Sequence, residues 1–209
     1  MTLPWPVERW EEQRGCWPAR GRHILAHFDA DTIVVYQAYR PEIGLYAAQH
    51  ARFGGAFSFD RMSWIKPNFL WMMHRSGWAT KPDQERVLAI WIPIPAFLGL
   101  LSEAVPSGFG GSPYPDEGAW RTALASSEVR LQWDPDHAPG GAPEDRRALQ
   151  LGLRGETLRR FAQDWPVRVV DLTQFVRQQR CFVGTDGLRV PVERVLAVPE
   201  ATRRWIGGD

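Results

Sequence analysis

The sequence predicts an α+β fold, a single domain in which a mixed, mostly antiparallel sheet is packed by several helices. Three observations predict it. Short runs of β-branched and aromatic residues, such as Ile33–Tyr39 and Arg86–Ile92, read as strands. Segments with apolar residues at helical spacing lie between such runs, as at Leu158, Phe161 and Trp165. The two kinds come in mixed order, without the regular alternation of a doubly wound sheet and without an internal repeat.

Residues 1–22 are expected to be an irregular N-terminal segment. Ile33-Val-Val-Tyr-Gln-Ala-Tyr39 is entered by the turn-forming Asp29-Ala-Asp-Thr32 and stopped by Pro41, so it reads as a strand, with Ile24–Phe28 as its hairpin partner. Pro41 fits the first position of a helix through Ile43, Ala47 and Ala48 that ends before Gly54-Gly55, which puts Arg40 at the strand-to-helix junction. A second helix is expected over Pro67–Arg75, stopped by Ser76-Gly77; it is apolar nearly all round and therefore buried. Arg86–Ile92 reads as a central strand and Ala96–Val105 as a short helix after it. Two Gly/Pro-rich stretches, 106–117 and 138–145, are expected to be flexible loops. Between them Glu128–Trp133 alternates as a strand, and Asp134-Pro-Asp-His137 reads as a turn. Arg147–Leu153 alternates again, Thr157–Trp165 has helical spacing, and Val167–Val170 is a strand. Asp171 or Thr173 then caps a helix through Phe175 and Val176.

Composition narrows the function. The most apolar run, Val87–Leu101, is broken by Pro93 and Pro95 and falls short of the roughly 20 apolar residues a spanning helix needs, so no membrane association is expected. The first residues lack the basic and apolar blocks of a secretory leader, and the expected location is cytoplasmic. Cys16 and Cys181 stand far apart and outside any metal-ligand spacing, so unrelated thiols are expected and no metal site. A formal net charge of +1 argues against a whole-surface nucleic-acid binder but leaves room for a local basic pocket. Lys66 and Lys81 are the only lysines in an arginine-rich chain, which draws attention to any motif that holds one.

The densest constellation runs from Asp60 to Trp78. It sets Arg61, Lys66, His74 and Arg75 among tryptophans that include Trp78, with Lys66 just ahead of a helix whose free N–H groups attract anions. A phosphate with a stacked base suits that mixture; so does plain packing of the aromatics with solvated cations. In Tyr36-Gln-Ala-Tyr-Arg-Pro41, Gln37 and Arg40 interrupt an apolar strand, and Arg40 has the geometry to clamp a phosphate or carboxylate. Gln132-Trp-Asp-Pro-Asp-His137 brings two carboxylates and an imidazole to a turn, a source of a general base, with Asp134 the candidate, or of a metal ligand, although no second His or Cys stands nearby and Asp-Pro is also ordinary turn chemistry. Gln150-Leu-Gly-Leu-Arg154 adds Gln150 and Arg154 on an alternating strand. The phosphate-binding loop, the dinucleotide glycine fingerprint, the nucleophile elbow and the zinc-protease helix are all missing.

Tyr36–Pro41, Arg61–Pro67 with Arg75–Trp78, Gln132–Pro135 and Gln150–Arg154 together resemble domain-of-unknown-function family 4291, over about Ile24 to Val198. The resemblance implies a bacterial or fungal protein of this size and transfers no activity. The enzyme expectation is a nucleotide-using transferase, with an ADP-ribosyltransferase-like cleft as analogy and NAD as the first ligand to test. By that analogy Arg40 and Ser63 take the two NAD-side parts, while no recognisable motif supplies the acceptor-orienting glutamate, for which Glu128 and Glu193 are only strand-associated candidates; Arg40, His74 and Asp134 are the catalytic candidates. Gln37, Arg61, Ser63, Lys66, Arg75, Trp78, Gln150 and Arg154 are the expected binding set for a nucleotide or phosphorylated small molecule, and Arg40, Arg61, Lys66, His74, Arg75, Asp134 and Gln150 are expected to converge on one cleft. The competing class is a module for RNA or single-stranded nucleic acid, with Arg61, Lys66 and Arg75 on the backbone and Trp64, Trp71 or Trp78 stacking on bases. A non-catalytic interaction protein is the third.

Overall fold

The computed structural model describes residues 5–209. In chain order these form β1 (Val7–Arg9), α1 (Trp10–Cys16), β2 (Gly21–Arg22), β3 (Leu25–Ala26), β4 (Thr32–Tyr39), α2 (Pro41–His50), β5 (Ser63–Ile65), α3 (Phe69–Ser76), β6 (Arg86–Pro93) and α4 (Ile94–Glu103). There follow β7 (Val105–Pro106), α5 (Glu117–Ser126), β8 (Val129–His137), β9 (Pro143–Leu153), α6 (Gly155–Gln163), β10 (Arg168–Asp171), α7 (Thr173–Arg180), β11 (Arg189–Pro191), β12 (Arg194–Val195) and α8 (Glu200–Trp205). The fold is α+β, as expected, with the strands divided over several sheets.

The central antiparallel sheet has the order β10-β6-β4. Its strands read as unbroken apolar runs because both faces are buried. Successive side chains point to opposite faces, so Ile33 and Val35 of β4 join Leu88, Ile90 and Ile92 of β6 in one apolar cluster, while Val34 and Tyr36 join Val87, Ala89 and Trp91 in a second. The second sheet is mixed: β8 and β9 form a long antiparallel hairpin, β5 adds antiparallel to β9, and the short β2 and β7 pair parallel to β9 and β8. Two small antiparallel pairs, β1 with β11 and β12 with β3, tie the two ends of the chain together.

Several local expectations are corrected. Of the segment 1–22, residues 1–4 lie outside the described residues, and the remainder is ordered into β1, α1 and β2. Tertiary anchoring does this rather than local pattern: Trp10 and Trp17 are buried edge to face, Trp10 N donates to Leu188 O, and Trp17 Nε1 donates to Glu193 O at 2.8 Å. The third element of that anchoring is a buried ion pair, in which Arg146 Nε bonds Asp136 Oδ2 at 2.9 Å, Nη1 bonds Pro18 O at 2.7 Å, and the guanidinium lies over Trp17.

Asp134–His137 is not a free turn. β8 continues to His137 because β9 supplies a partner as far as Pro143; the register shifts between Pro135 and His137, where β9 runs two residues longer than β8, and Asp136 at the shift is buried against Arg146. Pro135 is tolerated there since β7 stops at Pro106, opposite Leu131, leaving that flank of β8 as an edge. The two loops are correspondingly shorter than 106–117 and 138–145: Pro106 belongs to β7, Asp116 caps α5 by accepting from Ala119 N, and Pro143 opens β9. Helix α3 starts at Phe69, with Asn68 as its cap accepting from Trp71 N at 2.7 Å, so Pro67 precedes the helix. The expected Ile24–Phe28 hairpin reduces to a bridge between Phe28 and Ile33, while β3 itself pairs with β12. No described helix is long and apolar enough to cross a membrane.

Candidate functional site

A cavity of about 660 Å³ opens where the end of β4 faces β5, α3 and the middle of the β8–β9 hairpin. Its walls take Gln37, Tyr39 and Arg40 from β4, Arg61, Ser63, Trp64 and Lys66 from the β5 segment, and Met72 and Arg75 from α3. Gln132 and Gln150 come from the hairpin. The space exists because β4 and the β5 segment do not zip into a ladder. Their backbones meet at one bridge, with Tyr36 N donating to Lys66 O at 2.7 Å and Lys66 N donating to Tyr36 O at 3.1 Å. Beyond it side chains take over: Gln37 Nε2 donates to Ser63 Oγ at 2.8 Å and reaches Trp64 O at 3.3 Å, and Tyr39 Oη lies 2.5 Å from Ser63 Oγ. On the other side Trp64 is registered against Gly152 of β9, where any Cβ would fall 2.9 Å from the indole. Glycine at 152 is thus what lets Trp64 lie flat across β9 and form a wall.

The cavity is cationic. Arg40, Arg61, Lys66 and Arg75 line it against a single lining carboxylate, Asp83. Arg40 is paired with Glu42 at 2.9 Å in an exposed bridge, whereas Arg61, Lys66 and Arg75 take part in no ion pair among the described residues. Lys66 is the unusual member. Only 5% of it is exposed, and its Nζ hydrogen-bonds the Trp64 carbonyl at 3.3 Å. Burial, reinforced by the nearby Arg75 guanidinium and only partly opposed by Asp134, holds its ammonium pKa down at about 7. Tyr39 is pushed the opposite way, well above the ordinary phenol value, because burial disfavours the phenolate.

The neutral donors and acceptors are also arranged. Gln150 Nε2 donates to Gln132 Oε1 at 2.8 Å and to Asp134 Oδ2 at 2.5 Å, which leaves the Gln132 amide nitrogen and the Gln150 amide oxygen to serve a ligand. Gln37 Oε1 is buried and has no hydrogen-bond partner among the described residues. A buried acceptor left open beside a polar cavity is costly unless something occupies the cavity.

Of the residues singled out from sequence, Gln37, Arg40, Arg61, Ser63, Lys66, Arg75 and Gln150 come together here. Asp134 stands behind the wall and acts on it through Gln150. Three others do not converge. His74 stacks on His137 with ring centroids 3.5 Å apart, Trp71 lies 5.3 Å from both rings, and burial with the neighbouring imidazole lowers the His74 pKa. Trp78 is buried in the apolar cluster against Phe69 and donates Nε1 to Pro139 O. Arg154 binds the Ser127 and Ala125 carbonyls, closing the C-terminus of α5. Both glutamates considered for an acceptor-orienting role are committed to helix N-termini. Glu128 accepts from Glu156 N and Thr157 N of α6, bonds that hold its carboxyl below the ordinary range. Glu193 accepts from Phe69 N at 2.7 Å and from Asn68 at the start of α3, and burial raises its pKa.

Sequence reasoning missed Tyr39, Phe57, Asp83, Gln84 and Gln132 as parts of one wall. Tyr39 and Gln132 lay inside quoted motifs; the 56–58 and 83–84 segments carry only turn chemistry and gave no signal. Among the described residues no group of three or more His, Cys, Asp or Glu is placed to hold a metal ion. No curated protein matches the chain. The family model described as Domain of unknown function (DUF4291) matches residues 23–200, and the chain belongs to that family.

Proposed function

We propose that the cavity binds a phosphate-bearing small molecule of the nucleotide class. The observation that carries this reading is the convergence of Arg40, Arg61, Lys66 and Arg75 on one cavity; among the described residues Asp83 is the only lining acid, and three of the four cations have no carboxylate partner. A volume of about 660 Å³ is in the range of small-molecule sites, and Tyr39, Phe57 and Trp64 give the wall aromatic surface for a base or sugar. Guanidinium groups supply the forked donors that phosphate oxygens match.

NAD and ADP-ribose are the first ligands to test. ADP-ribosyl transfer as such needs a carboxylate beside the bound ligand, and with Glu128 and Glu193 committed elsewhere, Asp83 is the residue left for it. An extended RNA platform is disfavoured by the tryptophans: Trp71 and Trp78 are buried, and Trp64 alone borders the cavity.

Titration calorimetry and thermal unfolding with ATP, ADP-ribose, NAD, inorganic phosphate, adenosine and a short RNA test the reading. The expected result is binding by the phosphorylated compounds and none by adenosine. Arg61→Ala or Arg75→Ala should lower affinity by about 10- to 100-fold, the worth of one or two charge-assisted hydrogen bonds. Saturation at a hundred times Kd adds about 2.7 kcal/mol of stability. Adenosine binding as tightly as ATP, or affinities unchanged in both variants, would overturn it; binding confined to RNA and fading steeply with salt would favour the nucleic-acid alternative.

A further inference from the structure

We infer that Lys66 is a nucleophile whose Nζ forms an imine with the carbonyl carbon of an aldehyde or ketone bound in the cavity, the substrate class being a phosphate-bearing carbonyl compound such as an open-chain sugar phosphate. The phosphate half of this statement rests on the binding reading above; the nucleophile half rests on the lysine itself.

An amine-based nucleophile must be unprotonated, reachable and held in place. Lys66 meets these conditions. Its backbone is fixed by the paired hydrogen bonds to Tyr36, and Asn68 two residues on is fixed as the cap of α3, so the side chain springs from a rigid point. It is buried yet borders the cavity, so a ligand there can reach it. Its Nζ bonds the Trp64 carbonyl, a neutral acceptor, and it is engaged by no carboxylate among the described residues that would lock it as an ammonium. A second cation, Arg75, lies close enough on α3 to destabilise the charged form, while Asp134 on β8 is the one acid that opposes it. With the pKa near 7, about half the amine is free at neutral pH; an ordinary exposed lysine near 10.4 is free to about 1 part in 2,500. The unpartnered Gln37 Oε1 offers an acceptor for a ligand hydroxyl beside the reacting centre. In the step itself the Nζ lone pair forms the C–N bond, both nitrogen protons pass to the carbonyl oxygen, and that oxygen departs as water, leaving a C=N bond.

The chain provides its own control, since Lys81 is the only other lysine and is exposed. The intact protein is treated at pH 7 with pyridoxal 5′-phosphate or with unphosphorylated pyridoxal. Cyanoborohydride then reduces the imine to a stable secondary amine, which peptide mass spectrometry locates. Modification of Lys66 is expected at least about tenfold faster than that of Lys81. The phosphorylated aldehyde should be the faster reagent, and saturating ATP should protect. Arg75→Gln, a change at an exposed position, should move the pH profile of Lys66 labelling upward, because a neighbouring charge that favours the free amine is gone. A lysine merely buried and closed off from the cavity would not be labelled ahead of Lys81 at any pH. Rapid labelling of Lys66 by both aldehydes alike, without protection by ATP, would uphold the nucleophile and remove the phosphate reading. Binding of ATP with Lys66 labelled no faster than Lys81 would overturn the nucleophile and leave the binding reading intact.

Discussion

Replacing Lys66 with methionine should raise stability at neutral pH and abolish one component of its pH dependence. The lysine is folded into a site where its pKa is about 7, against the ordinary value of 10.5. The gap, at about 1.36 kcal/mol per pH unit, makes the charged form about 5 kcal/mol less favourable in the folded chain than in the unfolded one. Below pH 7 both states carry the proton and the whole penalty is present. Between pH 7 and 10.5 the unfolded chain binds the proton and the folded chain does not, so stability rises with pH; above 10.5 the penalty vanishes. Between pH 6 and pH 9 this group alone should add about 2 to 3 kcal/mol to the wild type. Methionine keeps most of the aliphatic stem, gives up the 3.3 Å bond to Trp64 O, and carries no charge to desolvate. Urea unfolding followed by tryptophan fluorescence, run on both proteins at half-unit steps from pH 6 to 9, reads the difference, from which all other titrating groups cancel. Lys66→Met should be the more stable protein at pH 6, by several kcal/mol, with the gap narrowing steadily toward pH 9. Parallel curves would mean that Lys66 is well solvated, and the account of the cavity would fail with it.

Two further perturbations test the scaffold that holds the site. Arg146→Ala strips the partner from Asp136 and the donor from Pro18 O at a place where both side chains are almost wholly buried, so a loss of about 3 to 5 kcal/mol is expected in urea unfolding; a loss below 1 kcal/mol would show that water reaches the pair. Gly155→Ala places a Cβ 2.0 Å from Glu128 Oε1 at a residue with φ of +60°, and should cost about 2 kcal/mol or more through left-handed strain and loss of the α6 cap. Gly108→Ala, where nothing lies within 4 Å, should be nearly neutral, and equal effects of the two changes would discredit the cap.

What the sequence made legible were the elements with strong local signals. β4, β6 and α2 appear within a residue or two of expectation, since a β-branched run, a turn before it and a proline after it act over a few residues. α1, α5 and the short strands were not legible. α1 is seven residues long and is held by Leu188, Glu193 and the Arg146 pair, all more than a hundred residues away in the chain. The reading of Asp134–His137 as a turn failed for a related reason: Asp-Pro is turn chemistry only where no partner strand competes, and β9 competes. His74 and Trp78 show the limit of proximity in sequence. His74 shares α3 with Met72 and Arg75, but a step of one or two residues on a helix turns a side chain by about 100° or 200°, here away from the cavity and onto His137; Trp78 lies beyond the helix, where the left-handed Gly77 and Trp78 turn the chain and set the indole against Phe69.

The chemistry of Lys66 is a property of the fold rather than of its motif. Nothing between Arg61 and Pro67 says that the lysine will be dry. That follows from the bridge to Tyr36, thirty positions earlier, which draws the segment under β4 and buries the side chain while the arginines at 40, 61 and 75 stay exposed. The division has a physical logic. A guanidinium keeps its proton at any accessible pH, so an arginine at the floor of this cavity would carry a full unpaired charge whenever the site was empty. A lysine can give the proton up and lie neutral against the Trp64 carbonyl, which is also the form that attacks a carbonyl carbon. Of the cations lining the cavity, the one placed where desolvation is severe is therefore the one that can go neutral, and the empty site is tolerable while Arg40, Arg61 and Arg75 keep its attraction for phosphate.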